Sequence, residues 1–261
     1  MLLDITPLRV SRDYRLLFIG QLVSFFGSMM TFIVVPWQMY ELTGSSAMVG
    51  YIYLAEFVPM LVLAVIGGAL ADFVEKRRLL RLTEFGQAAA SATLLANSLL
   101  ETPYVSVLFI CVAVHAGLAA IQRPAFESFI QKIIPPELIS SVMALNSIRW
   151  SIGAIISPAI AGIIAVKLGP SVAYALDLVT FAATIYAVYA VSAVPPPENA
   201  ERPSLDAIRK ALRYAKSRQE LLGTYFIDIF AMFFAMPQAL YPALAVIYGE
   251  RYLGFFPAAI A

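Results

Sequence analysis

Long apolar runs separated by short polar breaks dominate the chain. Seven of them, at 16–39, 47–71, 82–100, 104–121, 138–166, 172–194 and 221–248, reach the roughly 18 residues that a helix needs to cross a bilayer. Runs of that length predict an all-α polytopic membrane protein, because a helix satisfies its own backbone hydrogen bonds in hydrocarbon. The breaks at 41–46, 101–103 and 167–171 are short, so consecutive helices are expected to pack as antiparallel neighbours. The connection at 195–220 is different. It opens with Pro195, Pro196 and Pro197, which cannot continue a helix. Ser204 then offers a cap for Leu205, Ile208, Leu212 and Ala215 at helical spacing, flanked by Arg209, Arg213 and Lys216. This pattern fits an amphipathic helix lying on the membrane surface, or a linker helix that its charges keep in water. The punctuation predicts a six-helix bundle over 1–194, a cytoplasmic linker over 195–220, and a seventh helix with a short external tail over 221–261. Six helices, a long linker and further helices is the layout of transporters built from two halves, each made of inverted three-helix repeats. The second half is expected to stop after its first helix.

Charge gives the bundle a direction. Of the 18 Lys and Arg residues, 15 fall before the first run, between the second and third, between the fourth and fifth, and between the sixth and seventh. The alternate breaks hold one at most, Lys167. By the positive-inside rule the amino terminus and the linker face the cytoplasm. With 61% hydrophobic and 13% charged residues and a mean hydropathy of +0.80, the composition is that of an integral membrane protein, with the lipid bilayer as its first partner. The net charge of +1 comes from basic residues spread over the breaks, so no nucleic-acid patch forms. A lone cysteine, Cys111, excludes a disulfide framework, and no set of residues has metal-ligand spacing. Residues 1–15 lack the pattern of a removable signal.

Ionisable residues inside a span are costly and therefore candidates for function. Glu56 lies about 14 Å of helix rise from the outer end of the second run, and Arg149 lies near the midplane of the fifth. They form either a static neutralising pair or a proton-coupling carboxylate gated by an arginine. Asp228 is the second carboxylate. It shares a face with Thr224, Ala231, Ala235 and Gln238, a stripe fit either for the wall of an aqueous cavity or for close packing. In the first run Gln21, Ser24, Ser28, Thr31 and Gln38 fall within about 100° of arc, and a water-filled pathway is expected along them. The fourth run places Cys111, His115 and Gln122 on one face. His115, the only histidine, is either a satisfied hydrogen-bonding residue or a proton relay. The fifth run carries Gly153, Ser157, Pro158 and Gly162, fit for a sliding surface or for tight packing. The chain has no hydrolytic zinc motif, nucleophile elbow or phosphate loop, which points away from an enzyme and from any cofactor and toward transport driven by an ion gradient or by a separate ATPase subunit.

Between the second and third runs the sequence reads Gly67-Gly68-Ala69-Leu70-Ala71-Asp72-Phe73-Val74-Glu75-Lys76-Arg77-Arg78. It resembles the signature loop of the major facilitator superfamily, Gly-x-x-x-Asp-Arg-x-Gly-Arg-Arg. Gly68, Asp72, Lys76 and Arg77 fit, while Phe73 stands in place of Arg and Glu75 in place of Gly. In that family the aspartate caps a helix end and pairs with basic residues, latching the two halves together. Arg123-Pro124-Ala125-Phe126, Pro135-Pro136-Glu137-Leu138, the triple proline and Leu240-Tyr241-Pro242-Ala243-Leu244-Ala245 look like the enterobactin-exporter branch of bacterial facilitators. The segment around Ser157-Pro158 and Gly162 is similar to the antiporter motif of the fifth helix. The resemblance implies a cavity lined by spans one, four and seven, with spans two and five at the interface between halves.

These readings lead to a proton-coupled exporter of a siderophore or drug-like small molecule, working by alternating access. Its substrate, protons, and a dimer mate or complementary carboxy-terminal fragment are the expected partners. The alternative is a non-transporting, receptor-like fragment of seven spans.

Overall fold

The computed structural model describes residues 4–192 and 237–258, with positions 217–219, 223, 224, 226, 227 and 230 between them; the side chains of Val65, Ala69, Ala71 and Asp72 lie outside the description. The described residues form helices and turns with no strand. After a short α1 (Thr6–Val10) come six long helices: α2 (Arg12–Thr43), α3 (Ser46–Phe73), α4 (Lys76–Ser98), α5 (Val105–Ile133), α6 (Ile139–Leu168) and α7 (Pro170–Ala190). Further along lie α8 (Tyr241–Tyr248) and α9 (Phe255–Ala258). All but α4 among the six are long and apolar enough to cross a membrane. α4 fails on composition because one face holds Thr83, Glu84, Gln87, Ser91 and Asn97, all buried against other helices.

Local signals set the helix ends. The Ser11 hydroxyl accepts from the Tyr14 amide at 3.2 Å to start α2, and Gly44 ends it in the left-handed region at φ 63°. Ser45 starts α3 in the same way. Glu75, which stands where the signature loop has glycine, caps α4 by accepting from the amides of Arg77 and Arg78 at 3.1 and 3.0 Å. The basic residues expected in the breaks lie on the helices themselves. Lys76, Arg77, Arg78 and Arg81 are in the first turns of α4, and Arg123 and Lys132 are in the last turns of α5. Together with Arg9, Arg12 and Arg15 they mark one basic end of the bundle.

Chain order does not set the packing. α3 lies mainly along α5 and α2 along α7, while α4 is held between α5 and α7 and α6 rests on α2. Consecutive helices were the expected neighbours. That holds for α4 and α5, whereas α2 touches α3 only lightly. Short loops fix where helix ends meet; the buried faces then decide which helices lie side by side. The α2–α7 seam is the closest. A methyl group at Gly20 would sit 2.9 Å from the Ala187 Cβ, and one at Gly27 would overlap the Thr180 hydroxyl and lie 2.8 Å from the Asp177 carboxylate.

The seventh run is not one continuous helix. A 3-10 turn at Gln238–Leu240 follows Pro237, and α8 begins only at Tyr241. α8 rests on α2, and Gly249 turns the chain so that α9 packs on α6. There Gly254 meets the Pro158 carbonyl, and Gly162 meets Gly254, so the small residues of α6 serve close packing. The linker helix expected at 204–216 lies outside the described residues.

Replacing Gly27 with valine is expected to drive α2 off α7 and destabilise the bundle by about 1–3 kcal/mol. Gly50→Val, where an added methyl meets only Ala239 at 3.9 Å, should change little. Thermal unfolding of the two variants in detergent, followed by circular dichroism, makes the comparison.

Candidate functional site

Two carboxylates that the candidates above omit form the polar centre of the bundle. Asp177 on α7 is fully buried. Its Oδ2 accepts from the hydroxyls of Thr31 and Ser91, both at 2.7 Å, and the Ser28 hydroxyl donates to Oδ1 at 3.5 Å. Three helices therefore meet on one carboxylate. Glu84 on α4 is 2% exposed. Its Oε1 accepts from Gln122 Nε2 at 2.5 Å and from Gln21 Nε2 at 3.2 Å. Gln87 donates to Gln122 Oε1 at 3.3 Å, and Arg149 donates to Gln21 Oε1 at 3.3 Å. The result is a polar chain from α6 through α2 and α4 to α5, with Asp177 within electrostatic reach of Glu84. Among the described residues neither carboxylate makes an ion pair; the one ion pair found joins exposed Arg123 and Glu127.

The polar stripe of α2 was expected to face a water-filled pathway, and Ser28 and Thr31 do line a cavity. The same stripe also reaches α4 and α7: Gln21 bonds Glu84, Ser28 and Thr31 bond Asp177, and Gln38 accepts from the Tyr174 hydroxyl at 2.7 Å. Ser24 is buried in the same packing. Polar side chains on a transmembrane helix satisfy themselves on polar partners of neighbouring helices when these are within reach.

Glu56 and Arg149 are not a pair. Arg149 lies against Gln21 and over the Phe25 ring, 5.8 Å from its centroid. Glu56 lines a separate cavity of about 140 Å³ between α2, α3 and α5, with Ser28, Thr31, Tyr53 and His115 on its other walls. His115 packs on Phe181 at 5.7 Å, and its Nε2 has no hydrogen-bond partner among the described residues. It is within electrostatic reach of Asp177, so the cavity and the carboxylate centre adjoin. Gln122 belongs to the Glu84 cluster. Gln238 sits near Phe32, Pro36 and Tyr53 at the end of the bundle opposite the basic one, and Thr224 is exposed. Asp228, Ala231 and Ala235 lie outside the described residues.

The signature loop acts within the six-helix body. Arg77 donates to the Val188 carbonyl at 3.2 Å and the Tyr189 carbonyl at 2.7 Å, and Arg81 lies over the Tyr189 ring at 4.1 Å. Two arginines of α4 thus close the carbonyl end of α7, where cations and donors are favoured. Lys76 is buried at 1% exposure and Gly68 lies on α3 with open space around it. The Asp72 side chain, expected to latch this loop, lies outside the described residues.

Helix composition and the loop between α3 and α4 narrow the family, and the sequence match decides it. Residues 4–251 match the family of transmembrane secretion effectors. The chain belongs to that family. The enterobactin exporter of Citrobacter koseri is 22% identical to this chain over 245 residues, and that of Shigella boydii serotype 18 is 23% identical over 244. Each alignment covers 94% of this chain and 59% of the exporter, so the chain spans less than two thirds of the curated relatives it matches. A crystal structure of a peptide transporter in complex with alafosfalin shares the fold, with a TM-score of 0.57 and 18% identity over 91% of this chain and 50% of that one. The all-α major facilitator fold expected from the signature loop is the fold of this multi-pass membrane protein.

Arg77→Met removes both donors from the end of α7 and is expected to cost about 1–3 kcal/mol. Arg77→Lys, with a point charge in place of a planar fork, should recover only part of this. Unfolding midpoints of the purified chain, with amide exchange at Val188 to Val191, measure both.

Proposed function

We propose that this chain provides the amino-terminal six-helix body of a proton-coupled exporter of the bacterial inner membrane, moving a siderophore-like or drug-like small molecule outward by alternating access. The observation that carries the reading is the pair of buried carboxylates, Asp177 and Glu84, surrounded by hydroxyl and amide donors and, among the described residues, by no basic partner within ion-pairing distance. A carboxylate taken out of water is held either as an anion by donors or as a neutral acid by a proton. Donors that are themselves neutral accommodate both states, whereas a fixed cation would lock the anion in place. The adjoining cavity with Glu56 and His115 gives such a proton a route across α2, α3 and α5.

The match to enterobactin exporters supports the substrate class, and the basic end of the bundle supports a cytoplasmic amino terminus. Alternating access needs two bodies around a shared site, so the six helices work with a second set supplied by a dimer mate or a complementary carboxy-terminal fragment.

The test uses inside-out membrane vesicles carrying the chain together with the carboxy-terminal half of an enterobactin exporter. Adding enterobactin to acidified vesicles is expected to collapse the pH gradient, read by a pH-sensitive dye, and the chain alone should not do so. Asp177→Asn or Glu84→Gln should slow the collapse by about tenfold or more. An undiminished rate in both variants removes the coupling role, and no collapse with the paired halves, where the complete exporter gives one, removes the export reading.

A further inference from the structure

Two buried hydrogen-bond donors on the seam between α2 and α6 have no partner among the described residues: the Tyr14 hydroxyl and Nε of Arg149. Tyr14 is 1% exposed, with its ring 5.9 Å from Phe18 and packed among Ile130, Val142 and Leu145. Leu145 and Arg149 are four residues apart on α6, and Tyr14, Phe18, Gln21 and Phe25 follow helical spacing on α2. Each set therefore shares one face, and the two faces meet along the seam. The hydroxyl and the guanidinium lie within electrostatic reach of each other.

Gln21 orients the arginine. Its amide nitrogen is committed to Glu84, which leaves its carbonyl oxygen to take one guanidinium N–H at 3.3 Å. A guanidinium carries five donors, and Nε is left over. Phe25 lies beneath Arg149 and packs on Trp150 at 5.1 Å. Gly153 makes room for that ring, since a methyl group there would overlap it. Trp150 is 59% exposed, which opens the aromatic side of the cluster to the surface of the bundle.

Unsatisfied buried donors carry a free-energy cost that an acceptor relieves, and a charged acceptor relieves it most. We propose that Tyr14 and Arg149, with Gln21 as the positioning residue, bind the anionic oxygen of a small aromatic acid, a carboxylate or phenolate, whose ring lies against Phe25 and Trp150. Arg149 is ten residues into α6, about 15 Å of helix rise from Ile139, too deep for a lipid phosphate at the headgroup level. That this acid is the cargo, or the acidic part of it, rests on the export reading; the binding itself does not.

The experiment is binding of benzoate to the full purified chain in detergent, read by quenching of tryptophan fluorescence, with benzamide as the uncharged isostere. Benzoate is expected to bind about tenfold or more tightly than benzamide. Tyr14→Phe, which removes only a hydroxyl, should weaken benzoate about three- to tenfold and leave benzamide unchanged. Arg149→Gln should abolish the preference for the anion. Equal affinities, no saturable quenching by benzoate, or a preference unchanged in the variants overturns the proposal. If circular dichroism shows Arg149→Gln unfolded, Tyr14→Phe decides. Because no transport is measured, failure here leaves the export reading standing, and failed export in vesicles leaves this site standing.

Discussion

A carboxylate buried among apolar helices must receive its hydrogen bonds where it sits, and Asp177 receives them from two other helices at once. Thr31 and Ser28 reach it from α2 and Ser91 from α4, so one side chain fixes three helices in register. Much of the rest follows from that requirement. The hydroxyls can approach only if the backbones of α2 and α7 come together, and Gly20 and Gly27 are where they do. A methyl at Gly27 would crowd the same carboxylate, so close packing and charge satisfaction are one constraint. Glu84 repeats the arrangement toward the basic end, drawing on Gln21 and Gln122 and joining α5 to the same centre.

Satisfaction by neutral donors gives the bundle both stability and chemical freedom. A fixed ion pair would hold each carboxylate in a single charge state, whereas hydroxyls and amides tolerate a proton on it. The charges that are fixed lie elsewhere: Arg77 and Arg81 hold the carbonyl end of α7, and Arg149 is oriented by Gln21 at the edge of the cluster. The contacts that hold the helices together are thus made by neutral donors in the interior and by fixed charges at its edges.

The sequence was most informative where a single physical length governs. Hydrocarbon thickness sets the run lengths, and α2 to α7 appear where the runs lie. The polar stripe on α2 was equally legible, because helical period alone brings Gln21, Ser28, Thr31 and Gln38 to one face. What that face meets was not legible: Asp177 is 146 residues from Thr31, and nothing local ties the two. The rule that singled out Glu56 and Arg149 applies equally to Asp177 and Glu84, both ionisable and both inside apolar runs. Glu84, close to the basic start of the third run, reads as an interfacial residue until α4 is seen to turn that face inward. Helix pairing was illegible for a related reason, since loops join helix ends and leave the choice of partner to faces far apart in the chain. The break at Pro237 went unread in the seventh run, because run length alone conceals it.

The most direct measurement is a double-mutant cycle between Thr31→Val and Asp177→Asn, read as reversible unfolding of the chain in mixed micelles. If Asp177 is the residue on which α2 and α7 are registered, the two changes should couple by about 0.6–1.7 kcal/mol, from the average to the largest value found for hydrogen bonds between transmembrane helices. Additivity to within about 0.3 kcal/mol would mean that the two side chains act independently, and that something other than this carboxylate holds the bundle together.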